Sequence, residues 1–230
     1  MNGSNKLAPP NSTVQSFLQK LAETPGRRGR LVFALDATAS REPTWNEARR
    51  IQAEMFDTAA AVGGLEIQLC YYRGTAEFRA SPWLTRAADL RRCMAEVTCL
   101  GGFTQIGRVL EHTLWEARQS RVDALVLVGD CMEENVEALC QRAGELGLLG
   151  VRAFLFQEGQ DPVAERAFTQ LAKLTRGAHC RFAHDSARQL ADLLNAVAAY
   201  AAGGLPALER FGRRRGGLVL QLTDQMNRRP

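Results

Sequence analysis

The stretch LVFALDATAS, residues 31–40, joins an unbroken apolar run to an acid and two hydroxyls at alternate positions. A short apolar run without polar alternation reads as a strand buried on both faces, the kind found inside parallel sheets. It finishes on Asp36, Thr38 and Ser40, so the strand delivers oxygen-bearing side chains to its carboxyl end. In open doubly wound sheets ligands bind beyond those ends, near the point where strand order reverses.

Working outward, the pattern repeats. GRRGR leads into the strand, and the segment from Thr44 to Glu47 fits a capping box for a helix carrying Trp45, Ala48, Ile51, Met55 and Ala59 on one face. EIQLCYY reads as the next strand and EFRAS as its partner at an edge. Thr85 is placed to cap a helix that buries Leu90, Met94 and Val97. CLGGFTQ is a glycine-rich loop before a helical stripe of Ile106, Val109, Leu110, Thr113, Leu114 and Ala117. ALVLVGD is a second fully buried strand, again ending in an acid, Asp130. A helix with Val136, Leu139 and Leu146 facing inward follows, and then the strand VRAFLF. Asp161-Pro162 is a helix start, HCRFA a short strand, and a last helix runs from about Ser186 to Ala202, closed by Gly203-Gly204. Strands alternating with helices predict an α/β fold: a doubly wound, mostly parallel six-stranded sheet with one antiparallel edge strand and helices on both faces. The expected division is a leader with a short helix over 1–27 (Val14, Phe17, Leu18 and Leu21 have helical spacing), one domain over 28–202 and a basic tail over 203–230.

The composition excludes several classes. Apolar residues make up 46% and charged residues 23% of the 230, an ordinary globular balance. No run has the length of a membrane span, and MNGSNKLAPPNSTVQ lacks an apolar signal region. The cysteines, Cys70, Cys93, Cys99, Cys131, Cys140 and Cys180, form no C-x-x-C pair and sit mostly at apolar positions, as reduced core thiols of a cytoplasmic protein would. The net charge of +4 is concentrated in the arginines Arg210, Arg213, Arg214, Arg215, Arg228 and Arg229. The rest of the chain is formally neutral, and the tail lacks interleaved aromatics, so nucleic acid is disfavoured as a partner. The tail reads either as a solvated end or as a segment that docks on an acidic surface while LVLQL packs against apolar groups.

Asp36, Thr38 and Ser40 form D-x-T-x-S. A loop turning about a point aims side chains two apart toward it. One carboxylate and two hydroxyls are hard donors suited to a small cation such as Mg²⁺, with Mn²⁺ or Ca²⁺ as alternatives. Thr104 offers another hydroxyl and Asp130 a second carboxylate, provided the two acid-ended strands are neighbours. The competing reading is local: Asp, Thr and Ser serve turns and helix caps for their own reasons, so Thr104 and Asp130 are equally placed to cap the helices after them. His179 and Cys180 would fall on opposite faces of a strand, which argues against zinc in HCRFAH.

Together LVFALDATAS, GGFTQIGRVL and LVLVGD resemble the von Willebrand factor A (VWA) domain and its metal-ion-dependent adhesion site (MIDAS). The family pattern is Asp-x-Ser-x-Ser after the first strand, a threonine in a later loop and an aspartate after the fourth strand. Asp36, Thr38, Ser40, Thr104 and Asp130 align with it in order, over about residues 28–202. Thr38 stands where the first serine is usual, and Cys131 follows Asp130 where many relatives have glycine, with Glu133 as a rival outer acid. The resemblance implies a protein-interaction module that uses its metal to grip an Asp or Glu of a partner, often beside an ATPase or chaperone complex. Two alternatives stand beside it. One is a Mg²⁺-dependent phosphohydrolase of haloacid-dehalogenase type, against which Thr38 replaces the second aspartate needed as general acid/base. The other is a metal-free scaffold of the same fold. No G-x-x-x-x-G-K-[ST], G-x-S-x-G or H-E-x-x-H motif is present, and the expectation is a non-enzyme.

Overall fold

The computed structural model describes residues 28–60, 63–183 and 186–227; the helix expected within 14–21 and His184 lie outside them. Among the described residues one sheet is formed by β1 (Gly29–Asp36), β2 (Leu65–Arg73), β3 (Glu77–Ala80), β4 (Ala124–Gly129), β5 (Arg152–Glu158) and β6 (Ala178–Phe182). Its order is β3-β2-β1-β4-β5-β6. β2 and β3 pair antiparallel at one edge, and the other pairs are parallel. The order reverses at β1, which lies between β2 and β4, so the crevice of a doubly wound sheet opens there.

Both faces of the sheet are covered because every second residue of the apolar strands points the same way. From β1, Leu31, Phe33 and Leu35 join a core with helices α1 (Glu42–Ala60), α2 (Ala87–Ala95) and α6 (Ala187–Arg215). Val32 and Ala34 face the opposite core, filled by α3 (Ile106–Gln119), α4 (Val136–Leu148) and α5 (Pro162–Leu174). The Asp161 carboxylate caps α5 by accepting from the Val163 and Ala164 amides, with Pro162 in the first turn.

Three local expectations change. α1 begins at Glu42, which places Thr44 inside the first turn, where its hydroxyl donates to Glu158 and does not cap. α2 is preceded by Arg86, so Thr85 is not its cap. Gly203 and Gly204 do not end the last helix. α6 bends at Gly204 (φ 66°), with Pro206 following, and continues to Arg215. α7 (Gly217–Asn227) then folds back. Leu208, Phe211, Val219 and Leu222 are buried in the β1 core, so LVLQL packs on its own chain. Gln225 closes the open edge of the sheet: its side-chain oxygen accepts from the His179 amide (3.0 Å) and its nitrogen donates to the His179 carbonyl (2.8 Å). Arg213, Arg214 and Arg215 lie in the last turn of α6, where cations complement the helix dipole.

Candidate functional site

β1 and β4, distant in sequence, are adjacent in the sheet. Their register aligns Leu35 with Val128, which brings Asp36 and Asp130 to the same carboxyl rim. Beyond Asp36 the chain turns at once. The Ala37 amide donates to Tyr72 O (3.0 Å), the Thr38 amide to Asp36 Oδ1 (2.7 Å), and the Arg41 amide to Thr38 O (2.9 Å). That last bond closes a 3-10 turn over Ala39–Arg41. The turn gathers the hydroxyls: Thr38 Oγ1 and Ser40 Oγ lie 3.3 Å apart, and Ser40 Oγ donates to Asp130 Oδ2 at 3.3 Å. Asp36, Thr38, Ser40 and Asp130 thus form one connected cluster.

Each carboxylate of this cluster has one oxygen engaged and one left over. Asp36 Oδ2 and Asp130 Oδ1 are buried and accept no hydrogen bond of standard geometry among the described residues, although the Tyr72 hydroxyl lies near the Asp36 carboxylate and the Cys131 thiol near that of Asp130. Leaving such oxygens unpaired is costly, and a cation bound there would compensate them. Burial raises the Asp36 pKa; hydrogen bonds from Thr38 oppose that shift, and the Asp130 charge adds to it. Two carboxylates and two hydroxyls suit a hard divalent ion, which would take its remaining ligands from water or a partner.

The sequence reading missed Arg41. Its side chain is buried, at 2% exposure for the residue, beside the cluster. Nη2 lies 3.2 Å from Asp130 Oδ2, and Nη1 pairs with Glu158 at the end of β5. Thr44 Oγ1 donates to the same carboxylate oxygen. Formally, Asp36, Asp130 and Glu158 against Arg41 leave two negative charges, the charge one dication neutralises. The only sequence signal was an arginine directly after the motif and a third strand, FLFQE, ending in an acid.

Thr104 sits on the neighbouring glycine-rich loop. That loop is anchored to the motif by Leu100 N→Ala37 O (3.0 Å) and to the β2–β3 turn by Phe103 N→Gly74 O (3.2 Å). A side chain at Gly102 would collide with Gly74 O, so only glycine allows this approach. Thr104 pairs with Glu133 and not directly with the cluster: its hydroxyl accepts from the Glu133 amide and its amide donates to Glu133 Oε2, both at 3.2 Å. Glu133, the rival outer acid, is therefore engaged in holding the two loops together. Glu134 caps α3 from across the gap by accepting from the Ile106 and Gly107 amides. Neither Thr104 nor Asp130 is a helix cap, since α3 is preceded by Gln105 and α4 is capped by Asn135. Burial, with the Asp130 charge beside it, pushes the Cys131 thiol up to about 12. His179 and Cys180 point to opposite faces, and among the described residues no group of three or more His, Cys, Asp or Glu is placed to hold a metal ion.

No family model and no curated protein sequence matches the chain. Solved structures do. A von Willebrand factor type A protein from Catenulispora acidiphila superposes with TM-score 0.60 and 15% identity, over 77% of this chain and 43% of that one. The SpRpn10 VWA domain gives TM-score 0.57 and 11% identity, over 73% and 94%. Proximal thread matrix protein 1 of the mussel byssus, solved with a zinc-occupied MIDAS motif, gives 0.58 and 16%, over 81% and 51%. The chain thus spans less than half of the Catenulispora protein and about half of the mussel protein. At these identities the likeness establishes the fold, a VWA-like α/β sheet.

Proposed function

We propose that this chain is a protein-interaction module that holds Mg²⁺, or Mn²⁺ or Ca²⁺ in its place, and through it grips an Asp or Glu of a partner. The observation that carries this reading is the pair of buried, unpartnered oxygens, Asp36 Oδ2 and Asp130 Oδ1, bracketing the Thr38 and Ser40 hydroxyls. Asp36, Ser40 and Asp130 are the ligands, with Thr38 beside them, and Thr104 acts through Glu133 to hold the loop in place. A bound dication supplies an electrophilic position for an incoming carboxylate. Around it the chain presents apolar surface: Leu100 and Phe103, on the loop bonded to Ala37, are 56% and 60% exposed. Exposed apolar groups rimming a polar centre fit a protein surface better than a small substrate. Thr38 occupies the motif position at which a phosphohydrolase of haloacid-dehalogenase type needs its second acid.

Calorimetric titration of the full chain with Mg²⁺ and Mn²⁺ is the test. Saturable one-site heat is expected, abolished by Asp36→Asn, together with capture of a partner that EDTA reverses. A silent titration of folded protein sinks the proposal. It would leave the metal-free scaffold, a reading Arg41 favours because its guanidinium already offsets Asp130.

A further inference from the structure

At the opposite rim, by the amino ends of β5 and β6, α5, α6 and α7 line a half-open cavity of about 920 Å³, at the upper end of the range for small-molecule sites. Leu205, next to the bend at Gly204, lines it with Tyr200 and Met226, so the bend and the returning helix create its apolar wall. Three cations line it, the half-buried Arg152 and the exposed Lys173 and Arg176. No carboxylate lies within ion-pair reach of any of them among the described residues, although Asp224 also lines the cavity. Two net positive charges therefore face an apolar pocket. Arg152 Nη1 donates to the Thr175 and Arg176 carbonyls, at 3.3 and 3.4 Å.

Arg176 adds a second, independent observation. α5 ends in a Schellman motif, with Gly177 N→Ala172 O at 2.8 Å and Arg176 N→Lys173 O at 3.0 Å. The residue at Arg176 must be left-handed and is usually glycine. Here it is arginine at φ 52°, the one non-glycine residue with positive φ among the described residues. The chain accepts backbone strain where relieving it would delete a cation from the cavity, and such strain gathers at functional sites.

We propose that this cavity binds an amphiphilic anion, an apolar body bearing a single oxyanion head. Arg152, Lys173 and Arg176 take the head through charge-assisted hydrogen bonds. Tyr200, Leu205 and Met226 take the body. The site is remote from Asp36 and Asp130, and its ligand owes nothing to the metal reading.

The full chain is titrated by calorimetry with octanoate, octyl phosphate and 1-octanol. Saturable one-to-one binding of an anion, tighter than octanol, is expected, and whichever head binds more tightly names the source. Arg176→Gly should weaken that binding by roughly fivefold to tenfold, the loss of one charge-assisted contact. Its melting temperature should hold or rise, because glycine relieves the positive φ. Lys173→Gln should weaken binding without touching the helix end, and Leu205→Trp should block it by filling the cavity. Octanol binding as tightly as the anions, Arg176→Gly and Lys173→Gln binding like wild type, or no saturable binding would each overturn the proposal.

Discussion

Arg41 lies between Asp130 and Glu158, and its charge sets how strongly the rim attracts another cation. At an effective dielectric near 20, a unit charge about 4 Å away is worth about 4 kcal/mol before relaxation. Arg41→Gln should therefore raise Mg²⁺ affinity by about tenfold or more, read by calorimetry at fixed ionic strength. The same change removes the cation paired with buried Glu158 and should lower stability by about 3–5 kcal/mol in denaturant titration. Unchanged affinity would mean the guanidinium yields to the ion without cost. Asp36 supplies a pH test. Its pKa is raised in the folded state, chiefly by burial, so the metal-free fold binds this proton more tightly than the unfolded chain does. Ionised Asp36 therefore opposes folding above the raised pKa, and stability is regained as pH falls through it toward the ordinary carboxylate range. Metal affinity moves the other way and falls over the same window, because the proton and the ion compete for one carboxylate. Asp36→Asn should leave the metal-free protein at least as stable at pH 7 by urea titration. Marked destabilisation would show the charge itself to be structural.

Two helix ends make the element-scale comparison. α4 closes in a Schellman motif with Gly150 at φ 80°, and α5 closes in the same motif with Arg176. A Cβ at Gly150 would meet nothing within 4 Å, so only backbone conformation is at stake. Gly150→Ala should cost about 1 kcal/mol in chemical denaturation, the usual left-handed penalty of a residue with a side chain. A neutral result would mean that the turn rearranges, and would weaken the claim that Arg176 is held under strain. The bend in α6 belongs to the same scale. Gly204 leaves helical geometry, Pro206 follows it, and the two together swing the second half of the helix back over the core.

For the whole molecule, the segment 205–227 belongs to the body of the fold, while Arg228 and Arg229 lie outside the described residues. Leu222 is fully buried in the core that holds β1, and Gln225 covers the β6 edge. Leu222→Ala should cost about 2–5 kcal/mol, a loss large against the 5–15 kcal/mol that holds a typical domain. A melting curve unchanged by that substitution would make α7 peripheral. The same covering helix walls the cationic cavity, while the candidate metal cluster sits at the far rim. The two proposed sites thus lie at opposite ends of the strands, and occupancy of each can be titrated alone.

By itself the sequence determined the strands, most of the helices and the α/β class, because apolar runs and 3.6-residue stripes are local properties of the chain. It also determined that Asp36, Thr38, Ser40 and Asp130 stand where strands end. Tertiary structure alone decided that β1 and β4 are neighbours, so that the two carboxylates meet. It also decided that Thr104 answers to Glu133, that Thr44 serves Glu158 and not a helix cap, and that Arg41 is buried among acids. It turned a tail read as solvated or docking into a wall of the core. The physical reason is common to all of these. A polar side chain's role is set by the partner it desolvates against, and that partner comes from a segment whose distance along the chain no periodicity records.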